Sequence, residues 1–165
     1  RPEIKLVLVG QGKDKARIVE RVRREKLDSV IIRDPLPKTE LARLLSTADI
    51  GVNCVMDGDQ NRVAFPNKAF DYFFAGLAVL TTAPAEGGGC LQALVEEHEC
   101  GQGVSARDSE QASALLRSWA DDREAVRTMG QRARRLADER FDRERLALEL
   151  ELLLERIVQA RAKAA

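Results

Sequence analysis

The sequence predicts an α/β fold in which a doubly wound parallel sheet is followed by a helical C-terminal segment. Short apolar runs, which suit strands buried on both faces, alternate with segments whose apolar residues recur every three or four positions. This alternation is typical of a parallel sheet covered by helices on both sides. With 165 residues, 44% of them hydrophobic, the chain is long enough to bury a core of its own.

Two strand–turn–helix units open the chain. Residues 5–9 form a β-branched run that stops at Gly10-Gln11-Gly12, and a charged segment with apolar residues at helical spacing follows. Residues 30–32 form a second strand, and Pro35-Leu36-Pro37 requires an extended loop. A helix is then expected to begin near Thr39.

The middle of the chain continues the pattern with two further strands. Residues 49–55 predict a third strand and residues 78–82 a fourth that is apolar on both faces. Between them, residues 67–75 predict a short helix that Gly76 closes.

The remainder is mainly helical. We expect a helix near residues 90–97, a short strand near 102–105, and a helix that Asp108 caps with Gln111 three positions later. Trp119 and Met129 are expected in the core. Asp142 is expected to cap the last helix.

The last helix carries more apolar surface than one contact face requires. Its main stripe is Leu146, Leu150, Leu153 and Ile157, and further leucines lie off it at positions 148 and 152. We expect a second partner surface for this helix.

Composition excludes several classes of function. The 27 basic residues balance 27 acidic ones, so the chain has no basic face for nucleic acid, and no apolar run is long enough for a membrane span. Cys54, Cys90 and Cys100 lack metal-ligand spacing, so we expect reduced, mostly buried thiols, no metal and no other cofactor. His98, the single histidine, is expected to be a solvated or capping residue.

Ligands of parallel sheets bind in the loops at the carboxyl ends of the strands. The turn Gly10-Gln11-Gly12 is weak evidence, because Lys15 occupies the third glycine position of a dinucleotide fingerprint. The loop 57–68 is more informative, since it leads into a helix N-terminus at which Lys68 favours a bound anion. Asp71 is suited either to a ribose diol or to the helix dipole, and the glycines 87–89 are suited to a phosphate turn or a hinge.

The chain resembles the C-terminal, nucleotide-sugar-binding domain of retaining GT-B glycosyltransferases, a Rossmann-like domain. The resemblance covers essentially all 165 residues and rests on the motifs at 6–12, 35–41, 48–52, 65–80 and 129–134. The block 65–80, Phe-Pro-Asn-Lys-Ala-Phe-Asp-Tyr-Phe-Phe-Ala-Gly-Leu-Ala-Val-Leu, is the specific part. It looks most like enzymes that build bacterial surface polysaccharides from N-acetylated amino sugars.

The resemblance implies roles for individual residues. Asp71 would bind the ribose hydroxyls, Lys68 a phosphate, the backbone from Val63 to Asn67 the diphosphate and sugar, and the loop 33–36 the base. Val63 stands where relatives often carry a second acid, and Asp59 or Arg62 is a substitute from the same loop. The predicted donor-binding residues are Gly10, Gly12, Arg33, Pro35, Leu36, Arg62, Val63, Ala64, Phe65, Asn67, Lys68 and Asp71, with no catalytic residue assigned.

The resemblance also implies an activity and partners. The expected reaction is retaining transfer from a nucleotide diphospho-sugar, foremost a UDP-linked N-acetylated amino sugar, to a lipid-linked or saccharide acceptor in lipopolysaccharide, O-antigen or capsule synthesis. The enzyme would be cytoplasmic, free or peripheral at the inner face of the membrane. Residues 1–165 would be one domain that lacks a first strand–helix unit and an N-terminal acceptor domain. The alternative is a non-catalytic nucleotide-binding or regulatory module of the same fold.

Overall fold

A computed structural model of the chain describes residues 1–55, 63, 65–83 and 89–164. The chain divides into two compact units, Arg1–Thr47 and Ala48–Ala165. All strand pairs in both units are parallel, and helices connect the strands. The expected α/β class is therefore confirmed.

The first unit consists of two strand–helix pairs. Strand β1 (Leu6–Val9) precedes helix α1 (Lys15–Arg24), and strand β2 (Val30–Arg33) precedes helix α2 (Lys38–Leu45). The two strands pair in parallel along their full length. No residue of this unit is fully buried, because a two-stranded sheet with two helices encloses little volume.

The second unit begins with a three-stranded parallel sheet. Strand β3 (Ile50–Asn53) leads to helix α3 (Asn67–Phe74), strand β4 (Ala78–Ala83) to helix α4 (Cys90–Glu97), and strand β5 (Gly101–Ser105) completes the sheet. The strand order is β3-β4-β5, with β4 in the centre. All six residues of β4 are buried or half-buried, as its apolar sequence predicts.

Three helices complete the second unit: α5 (Ser109–Asp121), α6 (Arg123–Arg140) and α7 (Arg143–Ala164). An aspartate precedes each helix and accepts a hydrogen bond from a backbone N–H of the first turn. The caps predicted for Asp108 and Asp142 are confirmed, with N···O distances of 2.8 Å to Gln111 and 2.8 Å to Arg145.

Two apolar clusters cover opposite faces of the sheet. Val79 contributes to a cluster with residues of α3, α4 and α6, among them the fully buried Phe73. Ala78 and Leu80 contribute to the other cluster, where they meet Trp119 of α5. Trp119 is buried and Met129 packs against the same cluster, so both expected core positions are confirmed.

Helix α7 departs from the expected pattern. The stripe and the leucines off it are all exposed, as are two further apolar residues, so the helix has more uncovered apolar surface than the sequence predicts. The exposed apolar residues of α7 are Leu146, Leu148, Leu150, Leu152, Leu153, Leu154, Ile157 and Val158. Among the described helices none is long and apolar enough to cross a bilayer.

The thiols, but not the histidine, also differ from expectation. Cys54 and Cys90 are exposed and only Cys100 is buried, so the prediction of mostly buried thiols is wrong. His98 is the C-terminal cap residue of α4, which confirms a capping position. Its side chain is 27% exposed, and its Nε2 atom is buried with no hydrogen-bond partner among the described residues.

Candidate functional site

The carboxyl ends of parallel strands and the N-termini of the helices that follow them lie at one edge of each sheet. In the first unit this edge carries the turn after β1 and the loop after β2. In the second unit it carries the ends of β3 and β4 and the starts of α3 and α4. The predicted donor-binding residues that the structure describes fall at these two edges.

Two contacts bring the loops of the first unit together. The Gly10 N–H donates to the Arg33 carbonyl at an N···O distance of 3.2 Å. The Lys15 ammonium binds the Asp34 carboxylate, with 2.5 Å between Nζ and Oδ1. The glycine turn and the segment 33–36 are therefore neighbours, as a shared site requires.

The glycines of the first turn leave open space. Gly10 has φ +149°, a conformation that favours glycine, and a Cβ atom on either Gly10 or Gly12 would meet nothing within 4 Å. Gly12 is thus not required by packing within the protein. Arg33 and Pro35 are exposed and Leu36 is half-buried beside this turn in the chain.

Helix α3 begins with an open N-terminus. Its N-cap residue is Pro66, which has no side chain to accept a hydrogen bond, and its first turn contains no acidic residue. Asn67 and Lys68 of that turn are exposed, and Asp71 is exposed one turn later. Residues three and four positions apart lie on one face of a helix, so Asp71 lies on the same face as Asn67 and Lys68. This end of α3 presents partial positive charge, an ammonium group and a carboxylate together.

An aromatic cluster fixes the segment before α3. The Phe65 ring lies 5.0 Å from Phe70 and 6.3 Å from Phe141, measured between ring centroids, and Phe141 also stacks on Phe73. The Phe65 side chain is therefore engaged in packing within the protein. Val63 is 76% exposed.

Some predicted residues lie outside the described part of the chain. These are Arg62 and Ala64 of the donor set, Asp59 as the substitute acid, and Gly87 and Gly88 of the glycine loop. Gly89 is described and is the N-cap residue of α4, a second helix start without a side-chain cap or an acidic first turn. Cys90 follows it and is exposed.

A group of polar residues at the ends of β3 and β4 was not predicted. The Asn53 amide donates to the Thr81 hydroxyl at 3.0 Å. The Thr82 hydroxyl accepts a hydrogen bond from the Val55 N–H and donates one to the Val55 carbonyl. The Tyr72 hydroxyl of α3 donates to the Val52 carbonyl at 3.0 Å. Asparagine and threonine directly after an apolar run were the available signal, but spacing alone does not show that they meet across two strands.

Burial raises the pKa of the Tyr72 hydroxyl above its ordinary value, and negative charge on Cys54 and Asp71 adds to the effect. Asp71 precedes Tyr72 in α3, and the Tyr72 hydroxyl reaches the Val52 carbonyl of β3. This proximity links the exposed face of α3 to the carboxyl end of β3.

The arrangement is suited to binding rather than to nucleophilic chemistry. Two open helix N-termini and Lys68 can hold a phosphorylated ligand, and Asp71 can accept hydrogen bonds from a diol. Within the described ranges no group of three or more histidine, cysteine or acidic side chains is arranged to hold a metal ion.

Solved structures share this fold. A sucrose-phosphate synthase from Thermosynechococcus elongatus matches 94% of this chain with a TM-score of 0.76 and 24% identity. Alr3699/HepE from Anabaena, solved in complex with UDP, also matches 94% of this chain with a TM-score of 0.76, at 16% identity. The C-terminal domain of a glycosyl transferase group 1 family protein (LpcC) from Francisella tularensis matches 84% of this chain and 70% of that one, with a TM-score of 0.67 and 19% identity.

These likenesses define the class of the protein as a Rossmann-like α/β domain of the GT-B type. The chain covers 39% of the sucrose-phosphate synthase and 42% of the Anabaena protein, so it spans about two fifths of their length. The family described as glycosyl transferase-like matches residues 1–151. The chain belongs to that glycosyl transferase-like family. The comparison with curated proteins gives no match.

Proposed function

We propose that this chain binds a UDP-linked sugar at the carboxyl edge of its strands and serves a glycosyltransferase that retains configuration. The observation that carries the proposal is the start of α3, where an uncapped N-terminus, Lys68 and Asp71 share one exposed face. A nucleoside diphosphate offers the complementary groups, two phosphates and a ribose diol.

We propose a ligand contact for each group according to its charge. The helix N–H groups and Lys68 hold the diphosphate, and Asp71 accepts hydrogen bonds from the ribose hydroxyls. For the first unit by itself, we propose that the loop from Arg33 to Leu36 contacts a base and that the glycine turn allows close approach of a ligand. The backbone between Val63 and Asn67 meets the sugar side of the diphosphate.

Structures of related fold support the ligand class. Alr3699/HepE has been solved with UDP and also with UDP-glucose, the latter with a TM-score of 0.76 to this chain. Because those identities are 16% and 17%, they establish a common fold. The inference that this chain binds the same class of ligand rests on Lys68 and Asp71.

The residues favour catalysis by positioning and by charge. Departure of the nucleotide leaves negative charge on its terminal phosphate, and preorganised cationic and N–H groups stabilise that charge best where it develops. The donor sugar we propose is an N-acetylated amino sugar, and the acceptor is a lipid-linked or saccharide chain of a bacterial surface polysaccharide.

The exposed apolar surface of α7 favours a further domain of the same enzyme as its partner. Eight large apolar side chains there are exposed, which is more than an isolated solvent-facing helix carries. We place the acceptor-binding part of the enzyme in that domain. The proposed location is the cytoplasm, including the inner face of the membrane, where lipid-linked acceptors are found.

A donor panel tests the proposal. The intact protein is incubated with UDP-glucose, UDP-N-acetylglucosamine and UDP-N-acetylgalactosamine, and UDP release is measured with a saccharide acceptor present. We expect turnover with an N-acetylated donor and a product with the donor's anomeric configuration. Turnover of UDP-glucose alone, or a product of inverted configuration, contradicts it.

A non-catalytic nucleotide-binding or regulatory module is the second candidate. Its support is Val63, an exposed apolar residue where relatives often carry an acid. That candidate predicts UDP binding without turnover of any donor in the intact protein, and the same panel distinguishes the two.

A further inference from the structure

A polar pair lies buried where β3 and β4 end. Asn53 is 1% exposed and Thr81 is 2% exposed, and they are the buried polar residues of the described chain. The two residues are direct partners across the parallel pairing of β3 with β4. Buried polar groups are costly unless paired, so each atom of this pair requires a partner.

The hydrogen bonds of Thr81 indicate which atom of the Asn53 amide faces it. The Thr81 hydroxyl donates to the Thr82 carbonyl at 3.3 Å, so its oxygen is left to accept. With that bond in place, the Asn53 group that faces the hydroxyl at 3.0 Å is the donor, the Nδ2 amide. The Oδ1 oxygen is buried, and among the described residues it has no hydrogen-bond partner.

An unpaired hydrogen-bond acceptor such as the Asn53 oxygen favours ligand groups that can donate a hydrogen bond to it. A carboxamide oxygen accepts hydrogen bonds, so it suits a hydroxyl or an amide N–H and disfavours phosphate, whose oxygens are also acceptors. Ligand groups that lack the donor leave a buried acceptor unpaired, and such sites discriminate strongly between substrates.

The position of the pair connects it to the site. Asn53 is the last residue of β3, and Thr81 lies near the end of β4, at the edge where α3 and α4 begin. Side chains two positions apart share a face of a strand, so Asn53 lies on the face of Gly51, which is in contact with Tyr72 of α3. The Asn53 side chain is thus on the α3 face of the sheet, at the end of β3.

We propose that Asn53 is a specificity-determining residue, which accepts a hydrogen bond from a hydroxyl or amide N–H of the donor sugar while Thr81 orients its amide. This inference rests on the proposed function, because it takes the ligand to be a nucleotide sugar. In this proposal the two halves of the ligand have different contacts. Helix α3 binds the nucleotide diphosphate, and Asn53 binds the sugar.

Calorimetry of the intact protein with UDP, UDP-glucose and UDP-N-acetylglucosamine tests the proposal. Asn53→Leu keeps the size of the side chain but removes the acceptor. We expect it to weaken the better-bound UDP-sugar by roughly five- to tenfold, the worth of one hydrogen bond, and to change UDP affinity less than about twofold. Tyr72→Phe is the matched control, since it removes a hydrogen bond to β3 but no acceptor, and it should leave the ratio of the two affinities unchanged.

Each outcome has a defined meaning. If Asn53→Leu weakens the binding of UDP and of the UDP-sugar equally, or weakens neither, the proposed role of Asn53 is wrong. The proposal of a nucleotide site is not affected by that result. Wild-type protein that binds none of the three ligands overturns the proposed function itself. If Asn53→Leu does not fold, Thr81→Val replaces it, and the same selective loss for the UDP-sugar is expected because the amide is no longer oriented.

Discussion

Individual residues of the site differ in how far the sequence reveals them. Lys68 and Asp71 could be predicted, because a helix N-terminus and the position of a charge relative to it are local properties of the chain. The Asn53–Thr81 and Lys15–Asp34 contacts join residues 28 and 19 positions apart. Such contacts depend on which elements become neighbours in the fold, and this cannot be predicted from residue spacing.

The three thiols provide a prediction at this scale. Burial raises the pKa of the Cys100 thiol from its ordinary 9.0 to about 11, whereas Cys54 and Cys90 are exposed. Since the thiolate is the reactive form, we expect a thiol-specific dye at pH 8 to modify two cysteines quickly and the third only after unfolding. Cys100→Ser should leave the fast phase unchanged, and three fast equivalents in the wild type would contradict the buried position.

The same thiol makes stability depend on pH. The folded-state pKa of Cys100 lies above its unfolded value, so the folded state binds the proton more tightly and loses stability as the pH rises from 9 to about 11. Because one pKa unit corresponds to about 1.4 kcal/mol, the loss is on the order of 3 kcal/mol. Urea unfolding between pH 8 and 11 should show this loss in the wild type and a smaller one in Cys100→Ala.

Secondary-structure elements were predicted best where periodicity and capping agree. Helices α3 and α4 begin at the predicted residues, and the caps of α5 and α7 are those that the sequence predicts. The sequence predicts that α7 has more apolar surface than one contact face needs, but a periodic stripe does not show where its partner is, so the exposure of the main stripe could not be predicted.

Close contact between α3 and α6 is the element-scale feature most sensitive to substitution. Gly130 of α6 lies against the backbone at Gly76, which closes α3 with φ +69°, and a Cβ atom at Gly130 would overlap the Gly76 carbonyl oxygen. Gly130→Ala should therefore destabilise the protein by about 1–3 kcal/mol despite the better helix propensity of alanine. Denaturant unfolding is the measurement, and a gain in stability would show that the two elements are not in contact.

Gly12→Ala is the matched control for that experiment. A Cβ atom at Gly12 would meet nothing within 4 Å, so the substitution should leave stability within about 0.5 kcal/mol of the wild type. A large loss in both variants would mean that glycine replacement, rather than the contact of α3 with α6, sets the cost.

At the scale of the whole molecule, the alternation of strands and helices predicted the fold class, and the family match over residues 1–151 agrees with it. The division into two compact units was not predicted, because spacing along the chain does not show which elements pack together. The zero net charge is consistent with one local anion site on α3 in place of a basic surface.

The most direct test is a calorimetric titration of the intact protein with UDP. We predict measurable binding that weakens at least about tenfold in Lys68→Met and in Asp71→Asn, since each removes a charged hydrogen-bonding partner of the nucleotide. Arg117→Met and Glu97→Gln, which remove exposed charges on α5 and α4 away from the helix starts, should bind UDP as the wild type does. UDP affinity unaltered by both Lys68→Met and Asp71→Asn would contradict a nucleotide site at the start of α3.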